Sequence, residues 1–175
     1  MAMLKTVALI AAILAQTAGD PPLVDNDRVN VRERPTIGGP SGSIVRQTPT
    51  EIWIAVTPAK AVAITLKNKA VAPLANTSGF PNAFPRPNNK KVYEDARVIV
   101  WDYTWTPGVP TPMHFHDKDV VVIYLGTGSL RSTTPDGKSV VNKWVPGDTR
   151  FNLRDRVHTE TLVDGQLRAI ITELK

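Results

Sequence analysis

Three histidines are the side chains of this chain best suited to bind a transition metal. Two of them, His114 and His116, are separated only by Phe115. Alternate residues of a β-strand point to the same face about 6.6 Å apart, so a His-x-His segment can direct two imidazoles at one ion. Because the chain has no cysteine, a thiolate ligand is excluded, and a third imidazole can come only from His158. The alternative interpretation is a pair of ordinary histidines on one face of a barrel.

Glu160 is the candidate acid or base beside these histidines. If His158 lies on a strand, Glu160 shares its face two residues further on. A carboxyl group in an apolar barrel is expected to have a raised pKa, which suits general acid or base catalysis near neutral pH. The alternative role is to accept a hydrogen bond from the second ring N–H of a metal-binding histidine.

The elements that position these residues are predicted to be strands. From Val24 onward no segment has helical spacing, whereas short segments rich in β-branched residues recur. They are Ile52–Val56, Val62–Leu66, Arg97–Trp105, Val120–Leu125, Ser139–Trp144, Thr149–Leu153, His158–Val163 and Leu167–Leu174. Turn-forming residues occupy 134–137 and 145–148, and Asp164-Gly165 predicts a hairpin between the last two strands. The pattern indicates an all-β sandwich or barrel.

The residues around the histidines match a known pair of motifs. The segment Gly108-Val-Pro-Thr-Pro-Met-His114-Phe-His116 fits G-x5-H-x-H, and Pro146-Gly147-Asp148 is followed by His158-Thr-Glu160. Both resemble the motifs of the cupin superfamily, and the resemblance covers about residues 92–175. It implies a double-stranded β-helix, or jelly-roll barrel, that is commonly dimeric. It also implies that the three histidines bind one divalent ion, which would be Fe(II), Mn(II), Ni(II) or Zn(II).

One position departs from the cupin pattern. The family normally has a glutamate ligand three or four residues after the second histidine, where this chain has Val120 and Val121. Asp119 comes one residue too early. It would serve as a ligand only if a bulge at 117–118 changed the register, and strand alternation instead favours an outward, solvated carboxylate.

A site of three neutral histidines leaves a divalent ion with its full charge, which favours a small anionic chelating substrate. Carboxylate-free three-histidine cupins are often dioxygenases, so the resemblance implies a mononuclear non-haem metalloenzyme of that type. The alternatives are a redox-neutral isomerase or lyase, and a non-catalytic cupin that binds a sugar or a small organic acid. Arg150, Arg154 and Arg156 precede His158 and are expected to be surface charges, with attraction of an anionic substrate as the alternative.

Three segments precede the predicted barrel. Residues 1–19 resemble a secretory signal peptide, because Lys5 is followed by the short apolar run Val7–Ala15 and then by small residues. That run is too short for a stable membrane span, so we expect a secreted or periplasmic protein. Residues 20–72 are predicted to be a β-rich extension or a degenerate cupin half. Residues 73–89, rich in proline and asparagine, are interpreted as a linker or a wrapping arm, and residues 90–175 as the cupin barrel.

The charge of the chain argues against nucleic acid as a partner. The sequence has 21 Lys and Arg residues against 16 Asp and Glu, a formal net charge of +5. These positive charges are scattered along the chain and form no block, which indicates solubility instead of a nucleic-acid surface. The expected partners are therefore a small molecule and a second copy of the chain in a homodimer.

Overall fold

The computed structural model describes residues 21–36 and 38–175, so the predicted signal peptide lies outside the described residues. Within them every regular element is a β-strand. The strands are β1 (Val24–Asp25), β2 (Val29–Pro35), β3 (Ile44–Thr48), β4 (Glu51–Thr57), β5 (Lys60–Leu66), β6 (Asn89–Glu94), β7 (Val98–Thr104), β8 (His114–His116), β9 (Asp119–Tyr124), β10 (Thr127–Thr133), β11 (Ser139–Trp144), β12 (Thr149–Asn152), β13 (Arg156–Gln166) and β14 (Arg168–Leu174). In this part of the chain no helix is long and apolar enough to cross a membrane.

The strands form three antiparallel sheets. The first has the order β1-β2-β5-β4-β3, the second β11-β10-β13-β8 and the third β12-β9-β14-β7-β6. The second and third sheets face each other, because one apolar cluster contains Leu130 and Leu162 of the second sheet and Val122 of the third. The predicted all-β class and the double-stranded β-helix are confirmed.

The first sheet covers the outer face of this barrel. Along β9, Val120 and Val122 contribute to the apolar cluster inside the barrel, whereas Val121 and Ile123 point the other way. These outward residues pack in one cluster with Val29 and other buried residues of β2, β4 and β5. Alternation along one strand therefore serves two layers, which explains why this segment is apolar on both faces.

Residues 73–89 form an arm that lies along β8. The Leu74 N–H donates to the carbonyl of Asp117 at 2.8 Å. Further along, the Phe115 N–H donates to the carbonyl of Pro81 and the Ala83 N–H donates to that of Phe115, both at 2.8 Å. These are the contacts of a wrapping arm, which was one of the two interpretations of this segment.

The hairpin predicted at Asp164-Gly165 is wrong. Both residues lie within β13, where Asp164 pairs with Ser129 and Gly165 with Gly128 of β10. Because β13 and β14 belong to opposite sheets, the chain crosses the barrel at this point instead of folding back. Gly165 has φ of 82°, and a Cβ there would lie 2.3 Å from the carbonyl oxygen of Thr127. Its glycine is explained by this close approach to β10 and not by a hairpin turn.

Candidate metal centre

Adjacent strands of the second sheet bring the three histidines together. β8 pairs with β13 so that His114 lies opposite His158. The three residues are 2% (His114), 7% (His116) and 5% (His158) exposed, which places them inside the barrel. The predicted convergence of a His-x-His segment with His158 is therefore seen in the structure.

The geometry of the three imidazoles matches that of metal ligands. The Nε2 atoms of His114 and His116 are 3.2 Å apart, and those of His116 and His158 are 3.0 Å apart. Nitrogens bound to one ion at 2.0–2.1 Å, with angles between 90° and 110°, lie about 2.9–3.4 Å from one another. The described residues therefore fit a site for one ion.

Hydrogen bonds on the far side of the rings orient them. The Nδ1 of His114 donates to the carbonyl oxygen of Pro112 at 2.7 Å, because a carbonyl can only accept. The free lone pair of neutral His114 is then on Nε2, which faces the cluster. The Nδ1 of His158 lies 2.9 Å from the Ser132 hydroxyl and 3.1 Å from Arg156 Nη2. The tautomer with its proton on Nδ1 donates to Ser132 and leaves Nε2 free, as metal binding requires. In that tautomer Arg156, which can only donate, makes no hydrogen bond to Nδ1.

Burial keeps the imidazoles neutral. Desolvation, helped by the charge of Arg86, lowers the pKa of His114 to about 4. Desolvation lowers the pKa of His158 to about 3 and that of His116 well below its usual value. At pH 7 all three rings are neutral and able to donate a lone pair, and a cation at their centre would satisfy lone pairs that face one another.

The carboxylate ligand usual for the family has no counterpart here. Val120, at its expected position, is buried in the apolar cluster inside the barrel. Asp119 points away from the histidines, with Oδ2 2.5 Å from Arg28 Nη1 and Oδ1 accepting the Arg154 N–H at 2.8 Å. The outward direction predicted for Asp119 is observed. The expectation that it is solvated is wrong, because the N-terminal residues that bring Arg28 bury it at 5% exposure.

Glu160 lies inside the barrel, as its position relative to His158 predicts. Its Oε2 accepts a hydrogen bond from Trp105 Nε1 at 3.2 Å and lies 3.4 Å from Arg86 Nη2. Burial acts to raise the pKa of this carboxyl, but His158 and Arg86 outweigh it, so its pKa lies below the usual value. The expected raised pKa is therefore wrong, and Glu160 is ionised at neutral pH. Its catalytic role stays a prediction.

Of the two arginines beside the cluster, Arg86 was not identified from the sequence, and Arg156 was named there with attraction of an anionic substrate only as the alternative role. Arg86, on the arm, lies 3.1 Å from His114 Nε2. Arg156 was expected to be a surface charge, but it is half-buried beside His158, because it lies two residues earlier on the same face of β13. A signal for Arg86 existed, since it is the one charged residue of segment 73–89 and stands between Pro85 and Pro87.

Comparisons with known proteins find partial similarities. No family profile matches the chain. The β-alanine degradation protein BauB of Pseudomonas aeruginosa is 38% identical over 60 residues, which cover 34% of this chain and 59% of BauB. A crystal structure of a cupin domain from Bordetella pertussis is 27% identical, with a TM-score of 0.46, and covers 55% of this chain and 96% of that one. An RmlC-like cupin with a double-stranded β-helix from Methanocaldococcus jannaschii is 12% identical, with a TM-score of 0.43, and covers 59% and 89%.

The strand order and the inward histidines define the class of protein. The chain forms a double-stranded β-helix with a three-histidine cluster at its centre. This fold and the motifs around His114 and His158 resemble those of the cupins.

Proposed function

We propose that this cupin binds one divalent transition metal ion through His114, His116 and His158 and acts on a small anionic chelating substrate. The observation that carries the proposal is the convergence of three buried, neutral imidazoles with no carboxylate among them. The ion would be Fe(II), Mn(II), Ni(II) or Zn(II), all of which accept imidazole ligands.

The charges around the cluster favour an anion. An ion held by neutral imidazoles keeps its full +2 charge, and Arg86 and Arg156 add two positive charges. Glu160 supplies one negative charge, so the site as a whole is cationic. An open groove lined by Arg150 and Arg156, together with Asp27 and Asp155, reaches His158 and gives a small molecule access to the cluster. BauB is named for the degradation of β-alanine, a small carboxylate, and this supports the same substrate class.

The chain's own residues would bind and deprotonate the substrate. A bound ion supplies Lewis-acid chemistry and, if it is iron, redox chemistry with O2. Ionised Glu160 is placed to accept a proton at Oε2, with Trp105 and Arg86 stabilising its charge. Val120 and Val122 line the space next to the histidines and exclude water there. We propose a dioxygenase-type reaction on an acid with two adjacent oxygen donors.

Metal analysis combined with an oxygen electrode tests this function. Protein purified without added metal or an affinity tag is expected to retain about one equivalent of one transition metal, and His158→Ala is expected to lose it. Asp136→Asn, in an exposed turn, is the control that should keep the metal. O2 consumption with chelating acids supports the dioxygenase, whereas turnover without O2 favours an isomerase or lyase. Ligand binding without turnover favours a non-catalytic binder, and full metal content in His158→Ala would contradict the site.

The proposal extends to the location and assembly of the protein. We propose that residues 1–19 direct export to the periplasm or the medium and that the mature chain is a homodimer. Intact-mass measurement on protein from the native host is expected to show loss of this segment, and light scattering is expected to give twice the chain mass. Finding residues 1–19 on the soluble protein, or a monomer, would refute the corresponding statement.

A further inference from the structure

The arm 73–89 carries one cation into the barrel. Its backbone is fixed to β8 through Pro81 and Ala83, and Phe84 stacks on Trp101 with the ring centroids 5.3 Å apart. The Arg86 side chain is 5% exposed, and its guanidinium lies 4.1 Å from the centroid of the Tyr103 ring. Stacking against aromatic faces holds this guanidinium in place. Its N–H donors lie in the plane of the guanidinium itself, so the stacking leaves them available for hydrogen bonds.

Those donors are incompletely used. Nη1 contacts His114 Nε2 at 3.1 Å, and Nη2 contacts Glu160 Oε2 at 3.4 Å, which is long for a charge-assisted hydrogen bond. The Nε–H is buried and has no partner among the described residues. Buried donors of a charged group are normally satisfied, because each one left without a partner costs about 1–3 kcal/mol or more.

Metal binding would leave still more of these donors free. The lone pair of His114 Nε2 that faces Arg86 Nη1 is the one that a metal ion would take. Once this lone pair is donated to an ion, Nη1 has no acceptor, and both Nη1 and Nε are then donors without a partner. A guanidinium with free donors beside a metal ligand is suited to an oxyanion with two acceptor atoms.

We propose that Arg86 anchors the carboxylate of the substrate beside the metal, so that the arm determines which acids this site accepts. The inference rests on the function proposed above and narrows it. Because the guanidinium touches a metal ligand directly, one molecule reaches both the ion and Arg86 only if its carboxylate is close to its chelating atoms. The substrate class is therefore a short hydroxy, keto or amino carboxylic acid, and a neutral sugar is excluded.

Calorimetric titration of the zinc-loaded full chain tests the anchor, because it needs no turnover. Glycolate and oxalate are the anionic probes, and glycolamide, which replaces the carboxylate of glycolate with a neutral amide, is the matched neutral probe. Arg86→Gln is expected to weaken glycolate and oxalate binding by about 10- to 100-fold, since hydrogen bonds to charged groups contribute about 1.5–3 kcal/mol. Glycolamide affinity and metal content are expected to stay unchanged.

Two further variants separate anchoring from packing. Arg86→Lys keeps the positive charge but lacks the planar guanidinium, so it is expected to bind the acids more tightly than Arg86→Gln and less tightly than the wild type. If Arg86→Gln does not fold, Arg86→Lys is the variant that tests the anchor. Arg131→Gln removes an exposed arginine of β10 and is expected to change nothing. Unchanged acid affinity in metal-loaded Arg86→Gln, or no acid binding by the metal-loaded wild type, would overturn the anchor and leave the metal site standing. A wild-type chain that retains no metal would overturn the proposed function, and the anchor with it.

Discussion

Two arginine–carboxylate pairs are buried within residues 21–36 and 38–175, and they differ in how fully their hydrogen-bonding groups are used. In the first, Arg28 and Asp119 have side chains 5% and 6% exposed, with Nη1 and Oδ2 2.5 Å apart. Arg28 Nη2 also donates to the carbonyl of Lys175, and the second oxygen of Asp119 accepts the Arg154 N–H. In the second pair, Arg86 and Glu160 are 5% and 14% exposed and 3.4 Å apart, and the Arg86 Nε–H has no partner in the part of the chain that the structure describes.

The difference separates a structural pair from one that has capacity for a ligand. Both pairs are removed from water, so burial does not distinguish them. Arg28 and Asp119 are satisfied by protein groups and join the N-terminal residues to the barrel. Arg86 and Glu160 face the histidine cluster with donors and an oxygen to spare. The pair whose polar atoms still lack hydrogen-bond partners in the protein is therefore the one that we expect to act on a substrate, and neither burial nor charge alone identifies it.

The largest expected effect comes from replacing the carboxylate of the second pair, Glu160, with the amide of the same shape. Glu160→Gln keeps the shape of the side chain and removes its ability to take a proton, so we expect kcat to fall by about 10²–10⁴-fold. Metal content should stay near that of the wild type, because Glu160 lies beside the histidines and not among them. Turnover assays paired with elemental analysis check this, and an equal kcat or a complete loss of metal would contradict the assigned role.

The same change in the first pair should affect stability instead. Asp119→Asn leaves the Arg28 guanidinium buried without its counter-charge, which typically costs about 3–5 kcal/mol. Urea unfolding should show this loss, while turnover per bound metal stays unchanged below the transition. If Asp119→Asn lost its metal but kept its stability, Asp119 would be a ligand and the comparison would be wrong.

The pH dependence of stability should follow the histidines of the cluster. Their pKa values are depressed by burial, to about 4 for His114 and about 3 for His158, whereas unfolded histidine titrates near 6.5. Below that pH the unfolded chain takes up protons that the folded chain does not, so stability falls with pH by up to about 1.4 kcal/mol per unit for each histidine. Metal-free His158→Ala should show a slope shallower by this amount between pH 6 and 5. An unchanged slope would mean that His158 titrates normally in the fold.

The smallest expected effect concerns the hydroxyl behind the cluster. Ser132 lies 2.9 Å from His158 Nδ1 and orients that ring without touching the ion. Ser132→Ala is expected to weaken metal affinity by about tenfold, the lower end of the effect of such partners. Competition with a chelator of known affinity measures this, with Ser129→Ala on the same strand as the control. No change would show that the Ser132 hydroxyl does not orient His158 for metal binding.

Local pattern was sufficient to predict eight of the strands and the convergence of the three histidines, but β1, β2, β3, β6 and β10 were not among the predicted segments. The His-x-His spacing places two ligands on one face by strand geometry alone, and the alternation along β9 predicts Val120 inside the barrel. The prediction failed where distant residues meet. The burial of Asp119 depends on Arg28, and the lowered pKa of Glu160 depends in part on Arg86, which comes from a segment without any periodic pattern.

The sheet β1 to β5 also limits where this chain can be cut. It covers the outward residues of the barrel strands, which include Val98, Val100, Val121, Ile123 and Ile170. A fragment beginning near residue 90 would keep all three histidines but expose this apolar face to water, together with an unpaired Asp119. Such patches drive self-association, so the isolated barrel is expected to aggregate although its strand pairing is complete. The N-terminal sheet thus acts as a built-in solubilising cover for the half of the chain that carries the site.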